Sequence, residues 1–339
     1  MSSRPRIVLV TGSGRSGTSS VAGTLKRLGL HVPQPEVEAD EKNPRGYYEP
    51  LWVTEFHKRV LNPIPVRTID TRPHAAEVAA AAVADGKAEA ELREWLSDQL
   101  DHPQVLIKDP RAFWIQPLWN KVAAELGADV VTLTMLRHPT EVVRSRDTAY
   151  LAEQTPAFRR QRETANVAAW VNAAHLTELA TREQPRAFVG YHDLLADWRT
   201  AIGRAGEQLG ITLDIAGGGA EVDDFIDMRL NRSAITWDDL SVPPVLRELA
   251  DRAWASMNAL VTDPHDAAAL ADLADQRAAY TELFEWSEAI AMDATSQKVH
   301  DTRNEVRRNK GREIAALRAQ LEEARAETSK ASRWGFLRR

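Results

Sequence analysis

The sequence predicts an α/β protein in which a parallel sheet is flanked by helices. Four short apolar runs, rich in β-branched residues, alternate with helical segments along the N-terminal part of the chain, and this alternation requires crossover connections between parallel strands. A glycine-rich loop joins the first run to a helix, an arrangement typical of proteins that bind phosphate groups. Polar side chains follow the runs directly, at the sheet edge where open α/β proteins bind their ligands.

The strands are predicted from continuous apolar character, because a parallel sheet is covered on both faces. The predicted strands comprise residues 7–10, 104–107, 130–136 and 187–190. A helix is predicted from Ser16, because apolar residues recur on one of its faces until Gly29 ends it. A further helix is expected from Glu141, and the alanine-rich stretches 75–100 and 159–181 are expected to be helices that cover the sheet.

The composition of the 339-residue chain is that of a globular protein, with 43% hydrophobic and 27% charged residues. Its 43 basic and 49 acidic residues give a net charge of −6, which argues against nucleic acid as a partner. The absence of cysteine excludes disulfides, thiolate metal sites and a cysteine nucleophile. No apolar run reaches the roughly 20 residues of a membrane span, and the first run is too short for a signal peptide, so a cytoplasmic protein is expected.

A change of sequence character near residue 263 predicts two domains, 1–262 and 263–339. The second is expected to be a charged helical extension with a short coiled-coil stripe, which would allow a homodimer. The apolar residues of this stripe are Ile314, Leu317, Leu321 and Ala324. The basic and aromatic end, residues 333–339, has the composition of a segment that contacts a membrane surface or a protein partner.

The glycine-rich loop after the first strand matches two phosphate-binding patterns. Gly12, Gly14 and Gly17 fit the dinucleotide pattern G-x-G-x-x-G, whereas Gly12 and Gly17 alone fit the nucleoside-triphosphate pattern G-x-x-x-x-G-K-[ST]. The dinucleotide interpretation needs a second strand that ends in an acid, and prolines after the first helix disfavour that strand. The triphosphate interpretation lacks its lysine, because that position is Thr18, while a cation, Arg15, lies within the loop.

The segment Arg15-Ser16-Gly17-Thr18-Ser19 resembles the 5′-phosphosulfate loop of sulfotransferases that use 3′-phosphoadenosine 5′-phosphosulfate (PAPS). Three later segments resemble that family in the same order. Residues 108–111, Lys-Asp-Pro-Arg, are similar to the lysine-bearing loop of its tyrosylprotein and carbohydrate branches. Residues 136–145 resemble its 3′-phosphate motif, and residues 189–195 its adenine-binding segment. The resemblance implies the sheet-and-helix fold of P-loop nucleoside triphosphate hydrolases.

The resemblance implies that PAPS is the sulfuryl donor, that 3′-phosphoadenosine 5′-phosphate (PAP) is the product, and that no metal takes part. It assigns the 3′-phosphate to Arg137 and Ser145 and the adenine to Tyr191, and arginine suits phosphate because its guanidinium is planar and two-pronged. Arg15 and Lys108 are the cations expected to meet the negative charge that grows on the bridging oxygen. The implied donor-binding residues are Ser13, Gly14, Arg15, Ser16, Gly17, Thr18, Ser19, Arg137, Ser145 and Tyr191.

An acceptor hydroxyl also needs a general base within hydrogen-bond reach. Residues 43–52 resemble the Asn-Pro-x-Gly-Tyr/Phe-x-Glu stretch of bacterial relatives, which makes Glu49 the first candidate for this base. His57, on the helix expected after it, is the second candidate. The cytosolic sulfotransferases use a histidine two residues after their lysine, and this chain has Pro110 at that position.

These residues predict a sulfotransferase that moves a sulfuryl group from PAPS to a hydroxyl, and the resemblance favours a glycan or a small envelope metabolite as acceptor. Two alternatives stay open. One is a phosphotransferase of the same fold that binds Mg²⁺ through Asp109, which Thr18 in place of lysine disfavours. The other is a non-catalytic nucleotide-binding adaptor.

Arg229 and Arg232 could reach the 3′-phosphate, although their surroundings also fit ordinary surface arginines.

Overall fold

The structure, a computed structural model, describes residues 4–41, 43–64, 66–227 and 235–336, with the backbone alone from 326 onward. Its centre is a four-stranded sheet in the order β2-β1-β3-β4, and all neighbouring strands are parallel. The strands are β1 (Arg6–Thr11), β2 (Gln104–Lys108), β3 (Asp129–Leu136) and β4 (Arg186–Gly190). The predicted α/β class and all four predicted strands are therefore confirmed.

The strands bury both faces, as their continuous apolar character predicts. Successive side chains of a strand point to opposite faces, so Val8 and Val10 of β1 join one hydrophobic cluster while Ile7 and Leu9 join the other. All four of these side chains have no exposed surface. Burying each one stabilises the fold by about 1.5–3 kcal/mol before the entropic cost of ordering the chain, so the central strand anchors both layers.

Helices cover both faces of the sheet. The α-helices of the described residues are α1 (Thr18–Arg27), α2 (Leu51–Leu61), α3 (Ala75–Ala82), α4 (Lys87–Ser97), α5 (Gln116–Glu125), α6 (Pro139–Tyr150), α7 (Pro156–Thr181), α8 (Tyr191–Ala196), α9 (Trp198–Leu209), α10 (Ile215–Phe225), α11 (Pro244–Thr262) and α12 (Ala267–Phe336). Helices α1, α9 and α10 pack on the face that includes Val8, and helices α2, α4, α5 and α7 pack on the face that includes Ile7.

The alanine-rich stretch 75–100 forms two helices rather than one. Helix α3 ends at Ala82 and α4 begins at Lys87. Gly86 between them has φ = +77°, a left-handed conformation that interrupts a helix and that glycine adopts without a steric cost. The predicted helix 159–181 is confirmed in α7, whose first turn is capped by the side chain of Thr155.

The chain divides into two compact units, Met1–Thr281 and Glu282–Arg339. Within the first unit the start of α12 is buried at Leu273 and at Tyr280, whose hydroxyl donates a hydrogen bond to the backbone oxygen of Thr71 at 2.6 Å. The predicted domain boundary at 262/263 stays a prediction.

In the second unit α12 continues as a helix. The predicted stripe lies on it, with Ile314, Leu317 and Leu321 each about half exposed, and its pairing in a coiled coil stays a prediction. The predicted end segment 333–339 lies outside the residues whose side chains the structure describes. Within the described ranges, every helix is either too short or too polar to cross a bilayer.

Candidate active site

The predicted functional residues meet at the carboxyl edge of the sheet, where the loops after β1, β2, β3 and β4 border one cavity of about 570 Å³. The volume lies within the range of roughly 300–1,000 Å³ that is typical of small-molecule sites. The predicted residues that line this cavity are Gly14, Arg15, Gly17, Thr18, Ser19, Glu49, Lys108, Arg137, Ser145 and Tyr191. Ser13, Ser16 and His57 are absent from its lining.

Ser13 and Ser16 belong to the inner side of the glycine-rich loop. The backbone oxygen of Ser13 accepts a hydrogen bond from the Ser16 amide at 3.0 Å, which closes a tight turn. Ser13 borders a small void behind the loop, and Ser16 is buried with no hydrogen-bond partner for its Oγ among the described residues. Their side chains therefore support the loop from inside.

Gly17 connects the loop to helix α1 under an aromatic ring. It has φ = +96°, and a Cβ atom built there would lie 2.3 Å from Cδ2 of Tyr191. Only glycine meets both the left-handed backbone and the close approach of the ring. Tyr191 is buried, so the ring at the end of β4 fixes the position of the loop after β1.

Arg15 contacts the predicted 3′-phosphate segment, residues 136–145. Its Nε donates a hydrogen bond to Ser145 Oγ at 3.0 Å, and Arg137 Nη1 donates to the backbone oxygen of Arg15 at 3.2 Å. Arg15 itself has φ = +79°, which is unusual for a residue with a side chain and turns its guanidinium toward helix α6. Residues predicted from two separate motifs thus form one contact group.

Arg137 is held in a defined direction. Its Nε donates to Glu141 Oε2 at 2.8 Å, and its guanidinium carbon lies 4.4 Å from the ring centre of Tyr191. Glu141 also lies 3.0 Å from Nε2 of His192. Such a buried guanidinium loses little side-chain entropy on binding a ligand, because its orientation is already set.

Lys108 and Glu49 form a buried ion pair at the other side of the cavity. Lys108 Nζ lies 2.5 Å from Glu49 Oε1 and donates to Ser19 Oγ at 3.3 Å. Thr54 Oγ1 donates to the second carboxylate oxygen of Glu49 at 3.3 Å. Burying a charged group is costly unless an opposite charge compensates it. Separating Lys108 from Glu49 would leave both charges uncompensated, so the pair holds the cation and the candidate base in fixed positions beside the loop.

His57 lies away from the cavity, and the interpretation of this residue as the base is not supported by its position. Its side chain has no exposed surface. Its Nε2 accepts a hydrogen bond from the indole N–H of Trp119 at 3.1 Å, and its Nδ1 lies 3.3 Å from Asp109 Oδ1. Both ring nitrogens therefore face protein groups, and no acceptor can approach them.

Asp109 organises the loop that follows Lys108. Arg111 donates to both of its carboxylate oxygens at 2.9 Å. Burial raises the pKa of Asp109, but the His57 ring and the Arg111 guanidinium lower it by more, to about 2. The carboxylate has no exposed surface and does not line the cavity, so the predicted alternative of a Mg²⁺ ligand does not fit its surroundings.

The dinucleotide interpretation fails after helix α1. Among the described residues the next regular element is helix α2, and the segment between them contributes only isolated bridges. Glu36, the acid nearest the expected position, pairs with Lys26. The second strand and its free acid, which that pattern requires, are therefore missing from this part of the chain.

Several lining residues were not predicted as site residues. Asn43 Nδ2 donates to Ser19 Oγ at 3.2 Å, and Arg45, Tyr47 and Thr68 also border the cavity. Asn43, Arg45 and Tyr47 lie in the segment that carries Glu49, so that segment held the signal. Arg146 also lines the cavity, and no motif marks it. We call Arg15, Arg45, Lys108, Arg137 and Arg146 the cationic lining.

Arg229 and Arg232, considered from the sequence for the 3′-phosphate, lie outside the described residues.

No protein-family profile matches the chain, and no curated protein matches its sequence. Among solved structures it is similar to the sulfotransferase domain of the Synechococcus PCC 7002 olefin synthase, with 18% identity, a TM-score of 0.43, and coverage of 76% of this chain and 96% of that one. The sulfotransferase STF1 of Mycobacterium tuberculosis H37Rv gives 16% identity, a TM-score of 0.40, and coverage of 75% and 77%. The sulfotransferase domain of the curacin biosynthetic pathway gives 15% identity and a TM-score of 0.36. That match covers 62% of this chain and 75% of the other chain.

Proposed function

We propose that the protein is a sulfotransferase that moves a sulfuryl group from PAPS to a hydroxyl acceptor. The observation that carries this proposal is the arrangement of one cavity, in which Arg15 contacts Ser145 while Lys108 contacts Ser19 and Glu49. These contacts join the sequence segments that resemble the donor-binding motifs of PAPS-dependent enzymes. The loop has Thr18 where nucleoside-triphosphate enzymes need lysine, which favours the sulfuryl donor over ATP.

The residues of the cavity fit this donor. Its volume of about 570 Å³ accommodates a nucleotide, and its two ends carry separate groups of cations. Lys108 and the start of helix α1 suit the phosphosulfate end, because helix N-termini favour anions. Arg137 and Ser145 suit the 3′-phosphate, and Tyr191 borders the space for the adenine ring.

The chemistry follows from the positions of two groups. When bound, PAPS supplies the sulfuryl group and a phosphate leaving group. Lys108 stabilises the negative charge that grows on the leaving oxygen, since a donor fixed in advance is worth more than a mobile one. Glu49 accepts the proton of the attacking hydroxyl, and Thr54 and Lys108 keep its carboxylate at the cavity. A sulfuryl group carries less charge than a phosphoryl group, so these residues suffice without a metal clamp.

The acceptor is proposed to be a glycan or a small envelope metabolite that presents a hydroxyl. This choice rests on the resemblance of the segment around Glu49 and of the loop after Lys108 to those of carbohydrate sulfotransferases. Tyr47 and the half-exposed Tyr150 line the cavity and supply aromatic surface to it.

Thermal unfolding with three ligands tests the donor. PAP should stabilise the protein by about 2.7 kcal/mol at 100 times its Kd, whereas ATP with Mg²⁺ and NAD should give much smaller shifts at the same concentration. Arg137→Ala should remove most of the preference for PAP over adenosine 5′-phosphate. Equal stabilisation by PAP and adenosine 5′-phosphate in the wild type would contradict the proposal.

Activity in EDTA separates the two reaction classes. Sulfuryl transfer from PAPS to an acceptor identified by screening should continue at its full rate under chelation. A rate that collapses in EDTA and returns with Mg²⁺ would instead favour the phosphotransferase interpretation.

A further inference from the structure

Arg146 lines the cavity but has no role in the proposed function as described above. It follows Ser145 on helix α6 and lines the cavity. Its Nη1 lies 3.4 Å from the point where a Cβ on Gly14 would be, so the guanidinium reaches the glycine-rich loop. Its Nε is buried, and among the described residues it has no hydrogen-bond partner.

The charges around Arg146 are mostly positive. Burial lowers the pKa of Arg146; Tyr150 opposes this, and Arg162, Arg15 and Arg67 lower it further. Within the described ranges neither Arg146 nor Arg15 forms an ion pair with a carboxylate. A partly buried cation that lacks a counter-ion is costly, and a bound anion would remove that cost.

The other cations of the cavity already have partners. Lys108 is paired with Glu49, and Arg137 is paired with Glu141. The donor carries about four negative charges, two of them on a terminal phosphate whose second pKa is about 6. The paired cations leave little net charge to balance it, so the uncompensated charge of Arg146 and Arg15 is needed at the donor.

The contacts indicate which end of the donor Arg146 meets. Arg15 Nε donates to Ser145 Oγ, and Arg137 Nη1 donates to the backbone of Arg15. Arg146 is the chain neighbour of Ser145 and reaches Gly14, so it belongs to this group on the α6 side. Lys108, the last residue of strand β2, contacts Ser19 and Glu49 instead.

We infer that Arg146 is a further donor-binding residue that contacts the 3′-phosphate together with Arg137 and Ser145, and that it sets the preference for a 3′-phosphorylated nucleotide. This inference rests on the proposed function. The guanidinium lines the cavity, and its planar set of N–H donors suits a phosphate group. Lysine at this position would keep the charge but lose that geometry.

The test is calorimetric titration of PAP and of adenosine 5′-phosphate into the wild type, Arg146→Gln, Arg146→Lys and Arg162→Gln. Loss of a charged hydrogen bond to phosphate should weaken PAP binding by about tenfold to a hundredfold in Arg146→Gln, with adenosine 5′-phosphate unaffected. Arg146→Lys should fall between Arg146→Gln and the wild type. Arg162→Gln removes one positive charge near Arg146, and Arg162 does not line the cavity. This variant should keep the wild-type preference for PAP over adenosine 5′-phosphate.

The outcomes distinguish this inference from the proposed function. A wild type without preference for PAP contradicts the proposed function and the inference with it. A wild type that prefers PAP, with the same preference in Arg146→Gln, overturns the inference alone. Equal weakening of both nucleotides in Arg146→Gln also overturns it, because Arg146 would then act at the 5′ end. Thermal unfolding of each unliganded variant shows whether it is folded, and Arg146→Lys keeps the test decisive if the glutamine variant is not.

Discussion

Glu49 and Lys108 illustrate how two ionisable residues can be kept apart from solvent and still be available to a substrate. Each is nearly buried, yet both line the cavity. The lysine ammonium has two partners, Glu49 and Ser19, and the carboxylate has two, Lys108 and Thr54. Each group therefore has a fixed direction, which is what a positioned acid or base needs.

Replacing Glu49 by glutamine tests the base. Glutamine keeps the shape but cannot accept the proton, so kcat should fall by roughly 10² to 10⁴-fold while PAP binding, measured by titration, stays near the wild-type value. The loss should shrink with acceptors whose hydroxyl is more acidic, because they need less help to lose the proton.

Glu55→Gln is the control for Glu49→Gln, because Glu55 is an exposed acid on the helix that follows Glu49. Near-wild-type turnover in Glu49→Gln together with a large loss in a folded His57→Ala would contradict the assignment. The burial of His57 between Trp119 and Asp109 leads us to expect a loss of stability from His57→Ala instead.

The sequence predicted most single residues of the site but few of their contacts. Motif positions such as Arg137 and Lys108 lie at or directly after the end of a strand, so their place at the sheet edge is a local property of the chain. The pairing of Glu49 with Lys108 joins residues that are 59 positions apart, and no local pattern encodes it. Arg146 is missed for the same reason, because its role depends on the approach of Gly14 from another loop.

The connection from β1 through the loop to α1 is the element on which the donor site depends. Its geometry is set by Gly17, which lies under the ring of Tyr191. Gly17→Ala should weaken PAP binding by at least about tenfold and lower the free energy of unfolding by more than the ~1–2 kcal/mol that a left-handed alanine costs. Titration with PAP and urea unfolding measure the two effects.

Gly86→Ala provides the matched control for Gly17→Ala. Gly86 also has a positive φ, +77°, but a Cβ there would have nothing within 4 Å. Its substitution should cost only the backbone term of about 1–2 kcal/mol and leave PAP affinity unchanged. Equal stability losses in the two variants would show that the approach of Tyr191 imposes no steric limit at Gly17.

Helix α12 beyond the first unit should be dispensable for the donor site. The described side chains of 300–325 are exposed apart from the half-buried Asn304, and every cavity-lining residue precedes residue 192. Deleting residues 300–339 should therefore change PAP affinity by less than about twofold, as for substitutions remote from a site. Loss of PAP binding by a truncated protein that still unfolds cooperatively would place part of the site in the deleted segment.

At the level of elements, the sequence predicts strands better than helix boundaries. A buried strand such as β3 has a short uninterrupted apolar pattern with polar residues at its end, and nothing competes with that signal. The stretch 75–100 is different, because its many alanines favour helix throughout and conceal the break at Gly86. The cavity itself arises from packing between distant segments, which the order of the elements does not reveal.

The whole molecule should lose stability in mild acid because of one buried histidine. His175 lies on α7 and is buried. Its Nε2 lies 3.5 Å from Gln276 Oε1, and its Nδ1 has no hydrogen-bond partner among the described residues. Burial lowers the pKa of His175 from 6.5 to about 4, although Gln276 acts in the opposite direction. The unfolded chain therefore binds a proton between pH 6.5 and 4 that the folded chain does not bind.

The sign of the effect follows from that difference. Stability is complete above pH 6.5 and falls as the pH decreases toward 4, by about 3 kcal/mol from this residue. Urea unfolding at pH 7 and at pH 4.5 should show a smaller decrease for His175→Gln than for the wild type. His265→Gln, a change at an exposed histidine, should retain the wild-type decrease, and an identical decrease in all three proteins would contradict the assignment.

The cationic lining lies inside a chain whose net charge is −6, and this contrast has a kinetic consequence. In dilute buffer, where the Debye length is about 30 Å at 0.01 M salt, an approaching nucleotide meets the repulsion of the whole molecule. Near 0.15 M salt that length is about 8 Å, so the distant acidic surface is screened while the nearby arginines still attract. Stopped-flow association of PAP should therefore accelerate with added salt, reach a maximum, and then slow. A rate that only declines from the lowest salt onward would mean that attraction by the cavity extends beyond the protein surface.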